Sequence, residues 1–134
     1  MPEALLDTDT LSLLRRRHPQ VIVHARAYLH RYGRLTFSEL TRYEVVRGYK
    51  KVGATRQLAA FERFCRQHRV LPLDWRALEQ AAEIWAELSR KGELIGEVDI
   101  LLAGTALAHR LAVVTHNTTH FQRIQGLLVL DWTA

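Results

Sequence analysis

Apolar residues in this chain fall into short continuous runs separated by longer stretches with helical spacing. Ala4-Leu5-Leu6 is the first run, and Asp7-Thr8-Asp9-Thr10 follows it directly. A short run without polar interruption fits a strand buried on both faces of a sheet. Leu11, Leu13 and Leu14 then begin a helical pattern, with Thr10 as its expected N-cap. Leu35-Thr36-Phe37 predicts a second strand, Val70 to Leu73 a third, Leu111 to Thr115 a fourth and Leu127 to Leu130 a last. Between them the pattern predicts a helix from Val21 to Tyr32 closed by Gly33, and a Ser38-capped helix running to Val52. Further helices are expected over Ala54 to His68, behind an Asp74 cap as far as Arg90, over Val98 to His109 and, briefly, near His120 to Ile124. Strands alternating with helices in this way are the grammar of an α/β fold with a largely parallel sheet covered on both faces.

Composition narrows the class. The 134 residues, 48% of them hydrophobic, suffice for one well-packed core and one domain spanning 1–134. No apolar run approaches the ~20 residues that cross a bilayer, so a soluble, cytoplasmic protein without a membrane partner is expected. Cys65 is the only cysteine, which excludes an internal disulfide and a cysteine-based zinc site. It keeps company with Leu58, Phe61 and Phe64, the setting of a small core residue. Trp75, Trp85 and Trp132 lie far apart and read as core or interface anchors. Formal charge is +5, and only Lys50, Lys51 and Lys91 among the 19 basic residues are lysines. Arginine's planar fork suits phosphate, but charge alone leaves RNA, DNA and no nucleic acid all open.

The acids carry the chemistry. Asp7 ends the first strand, Glu44 sits mid-helix, Asp99 lies in the first turn of an apolar helix, and Asn117 follows the fourth strand. Parallel neighbouring strands would bring Asp7 and Asn117 out at the same sheet edge. Each also has an ordinary explanation: Asp7 and Asp9 as helix caps, Glu44 as a solvated partner of Arg47 or Lys51, Asp99 as a helix-dipole acid. Asp99, however, is followed at once by Ile100-Leu101-Leu102-Ala103, a pattern that predicts burial. Carboxylates gathered away from water repel one another unless a cation or a shared proton neutralises them. Mg²⁺ and Mn²⁺ favour such all-oxygen sites, and acid clusters of this kind run metal-assisted phosphodiester hydrolysis.

Taken in order, Leu5-Leu6-Asp7-Thr8, Glu44-x-x-x-Gly48, Gly96-x-x-Asp99-x-x-x-Ala103 and Val114-Thr115-x-Asn117-x-x-x-Phe121 resemble PIN-domain ribonucleases. Within that family the pattern is most similar to the VapC toxins of toxin–antitoxin pairs. The resemblance implies a three-layer α/β/α sandwich, an acidic pocket binding Mg²⁺ or Mn²⁺, and endoribonuclease activity. It assigns Asp7, Glu44 and Asp99 as metal-binding carboxylates, and Asn117 as a fourth site residue where relatives carry Asp or Asn. Thr8 and Thr115 become polar neighbours of those acids, Asp9 an added carboxylate or a cap, and Glu97 a residue without a firm place. Arg15, Arg16 and Arg47 are candidates to hold the RNA backbone. A VapB-like antitoxin and a second copy of the chain are the implied protein partners.

Two other readings compete. Asp7-Thr8-Asp9-Thr10 also fits the Asp-x-Asp-x-Thr motif of haloacid-dehalogenase-like phosphatases, yet the later acidic pair is missing and Lys91 has the wrong context. A non-catalytic PIN-like binding module is the alternative from another class. His116 and His120 are four apart but lack an intervening glutamate in a His-Glu-x-x-His arrangement, so zinc is not expected.

Overall fold

The computed structural model describes residues 1–134. In chain order its elements are β1 (Ala4–Leu6), α1 (Thr8–Arg15), α2 (Pro19–Tyr32), β2 (Thr36–Ser38), α3 (Glu39–Lys51) and α4 (Thr55–Gln67). They continue with β3 (Arg69–Leu71), α5 (Trp75–Arg90), α6 (Glu97–Ala108), β4 (Ala112–Val114), α7 (Thr118–Phe121) and β5 (Val129–Leu130). Every strand pairing is parallel, in the order β3-β2-β1-β4-β5. The first strand in sequence is therefore the central one, and it is wholly buried because it has a neighbour on each edge and helices on each face.

Alternation along the strands sorts the core into two layers. Leu5 and Val113 face a cluster built with α5 and α6, which includes Ile84, Leu88, Ile100 and Ala103. Ala4, Leu6, Ala112 and Val114 face the opposite way, onto Leu11, Val21, Tyr28 and Phe61 from α1, α2 and α4. The result is the three-layer α/β/α sandwich that the resemblance implies, built on the parallel, doubly covered sheet that the pattern predicts. Helix α3 straddles the layers: Leu40 packs against the first cluster, and Val45, Val46 and Tyr49 against the second. Each fully buried leucine or phenylalanine contributes about 1.5–3 kcal/mol of burial.

Several boundaries differ from expectation, each for a local reason. Asp7, not Thr10, caps α1: its backbone is extended and its Oδ1 accepts from the Thr10 amide at 2.8 Å. Strand β3 begins at Arg69, whose amide donates to the Leu35 carbonyl, and stops before Pro72, which has no N–H for the ladder. Strand β2 runs on through Ser38, which pairs with Leu71 and also caps α3 by accepting from Leu40. Trp132 is in the core, but Trp75 and Trp85 are 70% and 48% exposed, so neither is a core anchor.

Helices α5 and α6 lie against each other closely enough to dictate sequence. A Cβ on Gly104 would fall 2.6 Å from the Ala77 carbonyl oxygen and 2.7 Å from the Ala81 amide nitrogen. Both obstacles are backbone, so they cannot swing aside. Gly104→Ala is expected to cost about 1–3 kcal/mol through overpacking, read as a lower midpoint of urea unfolding with little change in its slope.

Candidate active site

The strand order places a crevice between β1 and β4. Connections leave the sheet in opposite directions on either side of these two strands, and open parallel sheets carry their sites outside the carboxyl ends at such a reversal. Asp7 follows β1 immediately, and its amide extends the ladder by donating to the Val114 carbonyl at 3.0 Å. Residues Thr115 to Asn117 leave the neighbouring β4 at the same edge. The first turn of α6 supplies Asp99 and the middle of α3 supplies Glu44. Together Asp7, Thr8, Asp9, Glu44, Val98, Asp99 and Leu102 line one open cleft of about 150 Å³.

Each acid is held by different neighbours. Asp7 is 6% exposed, and besides capping α1 it is hydrogen-bonded by Thr115. Glu44 Oε1 accepts from the Thr8 hydroxyl at 2.6 Å, and Thr8 also lies 3.0 Å from the Thr41 hydroxyl. Its other oxygen, Oε2, lies 3.7 Å from the Arg47 guanidinium. Asp99 Oδ2 accepts from the Asn117 amide at 3.4 Å, while the same amide contacts His120 Nδ1 at 2.7 Å. Thr115 fixes the loop after β4 by accepting from the Asn117 backbone N–H at 2.9 Å.

Charge is under strain here. Burial raises the pKa of Asp7, against hydrogen bonds from Thr115 and Thr10 that lower it, and the Asp9 charge adds to the rise. Burial also raises that of Asp99, and the Asp7 charge adds to it, only partly offset by His120 and Asn117. Both carboxyls therefore hold a proton more tightly than in the unfolded chain. The oxygens face a common space without closing into a finished coordination sphere, since no three His, Cys, Asp or Glu side chains converge that far. The donor set is all oxygen, with Asn117 as a neutral amide beside Asp99, which suits a hard divalent cation that keeps water ligands.

The remaining sequence candidates divide clearly. Asp9 is exposed at the cleft lip and contributes charge, whereas Glu97 lines a separate groove with Leu78, Trp85 and Leu101. Arg15 does not face the site; its guanidinium stacks over Phe61 and Phe64 at 5.0 and 5.1 Å, joining α1 to α4. Arg16 is exposed at the end of α1, and Arg47 alone of the three touches a cleft acid. No lysine lines the cleft, which leaves the phosphatase reading without its required residue. His116 turns to Asp131 and Thr133 while His120 turns to Asn117, so the two do not act as a pair. Sequence reasoning missed His120 and Thr41 as site neighbours. The spacings Asn117–His120 and Thr41–Glu44, one helical turn each, are the signals that point to them.

Fold and cleft define a parallel α/β/α domain with a carboxylate-lined crevice at the reversal point of its sheet. The PIN domain family model matches residues 4–127, and the chain belongs to the PIN-domain family, in its VapC branch. Over 98% of this chain and 99% of the relative, it is 35% identical to the tRNA(fMet)-specific endonuclease VapC of Salmonella typhimurium. Ribonuclease VapC2 of Haemophilus influenzae is 29% identical over the same shares of each chain. Among solved structures, DNA-bound VapBC from Salmonella typhimurium contains a chain that superposes with a TM-score of 0.85 at 34% identity. That alignment covers 98% of this chain and 99% of the other.

The raised carboxyl pKa values have a signed consequence for stability. Between the ordinary value of 3.8 and the higher folded value, the folded chain binds more protons than the unfolded one. These two groups therefore make the metal-free protein less stable as pH rises through that window. Asp99→Asn removes one of the charges while keeping an acceptor for Asn117. In EDTA it should stabilise the protein by ~1 kcal/mol at about pH 7 and by nearly nothing at about pH 3.5, as read by thermal unfolding at the two pH values.

Proposed function

We propose that this protein is a Mg²⁺- or Mn²⁺-dependent endoribonuclease that serves as the toxin of a toxin–antitoxin pair. The observation that carries the reading is that Asp7, Glu44 and Asp99 line one cleft, where burial raises the pKa of Asp7 and burial with the Asp7 charge raises that of Asp99. Relatives named as endonuclease and ribonuclease VapC support the reaction class, and neighbours solved as VapBC complexes support an antitoxin partner of the VapB kind. Such a protein works in the cytoplasm, where its RNA lies. No helix is long and apolar enough to cross a membrane.

Asp7 and Asp99 would hold the cation directly, with Glu44 completing the acidic side of the site. A divalent ion there would lower the pKa of a bound water and stabilise charge on the phosphate and the departing oxygen. The chain's own residues set the geometry. The α1 cap keeps Asp7 from rotating, since losing its bond to Thr10 would uncap the helix. Thr8 holds one oxygen of Glu44 and leaves the other beside the Arg47 guanidinium. Asn117 orients Asp99 through its side-chain amide, and the same amide lies 2.7 Å from His120 Nδ1, which ties His120 to the site. A neutral amide at position 117 keeps the total negative charge lower than a fourth carboxylate would. That arrangement eases approach of an anionic RNA strand.

The substrate class to test first is initiator transfer RNA, since the Salmonella and Shigella relatives are named for tRNA(fMet). End-labelled initiator tRNA and a mixed RNA pool should be cut by the purified protein with Mn²⁺ or Mg²⁺ and left intact in EDTA. Asp7→Asn and Asp99→Asn should abolish cleavage, while Asn117→Ala should lose about 10–100-fold as an orienting neighbour. Cutting that persists in EDTA or in Asp99→Asn would refute a carboxylate-held metal mechanism. Absence of cutting by folded, antitoxin-free protein in both RNA samples would favour a non-catalytic binding module.

A further inference from the structure

An acid-lined cleft repels the phosphates it is meant to receive, so cationic groups near it should be few and well placed. Of the 19 lysine and arginine residues, only Arg47 forms an ion pair with a cleft carboxylate. That pair is loose: the 3.7 Å contact is made by an arginine side chain 59% exposed, adjacent in the same helix. Arg47 also covers Tyr43, with its guanidinium carbon 5.1 Å from the ring centre. Tyr43 itself is 56% exposed, and its hydroxyl makes no hydrogen bond within the chain. One turn beyond Glu44, Gly48 leaves the helix bare, and a Cβ there would meet nothing within 4 Å. A glycine inside a helix costs about 1 kcal/mol relative to alanine, and no packing in this fold requires one at that position.

Aromatic rings and arginine planes on exposed surfaces are how proteins hold unpaired RNA bases, and arginine can bind the flanking phosphate at the same time. Tyr43, Arg47 and Gly48 put a ring, a cation and open backbone on one helix, joined through Glu44 to the cleft. We propose that Tyr43 and Arg47 form a stacking platform that seats one unpaired RNA base at the rim of the acidic cleft. Seating that base determines which phosphodiester is delivered to Asp7 and Asp99. Arg47 exchanges its contact with Glu44 for the phosphate next to the seated base. The platform rests on the ribonuclease reading above, and it adds to that reading a site of selection outside the carboxylates. Single-stranded loops are its substrates, because a base paired in a helix cannot leave its stack without loss of pairing energy.

The probe is a short single-stranded RNA carrying 2-aminopurine at one position at a time, mixed with full-length Asp99→Asn protein in Mg²⁺. Fluorescence should be quenched at one position in the strand, reporting a stacked base. Adding Tyr43→Leu should raise the dissociation constant about tenfold and remove the quench, whereas Tyr43→Phe should preserve both. Arg47→Ala should weaken binding and lower the salt dependence by about one phosphate contact. Because Tyr43 is on the surface, thermal unfolding of the leucine variant should match that of its parent. In the cleavage assay, Tyr43→Leu alone should raise KM more than it lowers kcat and blur the choice of cut site. If Tyr43→Leu binds, quenches and cuts like its parent while the parent is an active nuclease, the platform is wrong and the nuclease reading stands. If the unmodified protein neither cuts nor binds RNA, both fall together.

Discussion

Desolvated negative charge at the carboxyl edge of the sheet is the constraint around which this molecule is arranged. Asp7 emerges from the most buried strand in the fold, and Asp99 sits in the first turn of a helix that is otherwise almost wholly core. Neither position can move toward water without pulling apart the pairing of β1 with β4 or the seat of α6 on α5. The fold thus holds one carboxyl, Asp7, away from solvent and a second, Asp99, half-buried beside it in the open cleft. The chain offsets part of the cost with Thr115, Thr10 and Asn117 as hydrogen-bond donors, and both pKa values remain raised. What is left over is a pair of carboxyls whose ionisation their surroundings oppose, which packing alone would not call for.

The architecture was legible in the sequence because the sheet is parallel and fully covered. Buried parallel strands need uninterrupted apolar runs, so Ala4-Leu5-Leu6 and Ala112-Val113-Val114 stand out without any knowledge of their pairing. Caps at Ser38 and Asp74 were readable for a similar reason, since each is a short polar side chain standing just before an amphipathic run. The errors fall where tertiary structure overrides local preference. Thr10 is a reasonable cap in isolation, but the strand hands over to the helix at once, and Asp7 takes the role because its backbone is already extended. Exposed Trp75 and Trp85 remove only the core half of the expectation of core or interface anchors, and nothing in the local pattern separates the two halves, because Leu78 and Ala82 beside them on α5 continue an apolar periodicity.

The site was legible as a set of residue types and illegible as a set of contacts. Asp7 and Asp99 betray themselves by interrupting apolar surroundings, a conflict between local pattern and chemistry that proteins tolerate mainly at functional positions. Glu44 carries no such mark, since a glutamate on a polar helix face near Arg47 is unremarkable; its place in the cleft depends on where α3 crosses the end of the sheet. The bonds that orient these acids come from Thr8, Thr41, Asn117 and His120, polar residues common in any loop or helix start. Arg15 shows the reverse error. Membership of a basic run suggested a nucleic-acid contact, but its neighbours in space are two phenylalanines of a helix some fifty residues away.

Under the proposed function, acids that would hold a divalent ion would accept another cation equally well, and that ambiguity would be useful to a toxin. Any partner able to place an arginine or lysine between Asp7, Glu44 and Asp99 would satisfy the same unpaired charge and would keep a divalent ion out. Under the proposed function, inhibition therefore needs no change of fold, only competition for the same carboxylates. Arg47 already illustrates the principle within the chain, because it leans on Glu44 from the rim without reaching the buried pair. Its reach is limited by its helix, which starts its side chain three residues from Glu44 and on the exposed side. A partner's side chain entering from solvent has no such tether. Under the proposed function, tight control and ready activation would both follow from one feature: acids whose charge either a metal ion or a partner's cation could complete.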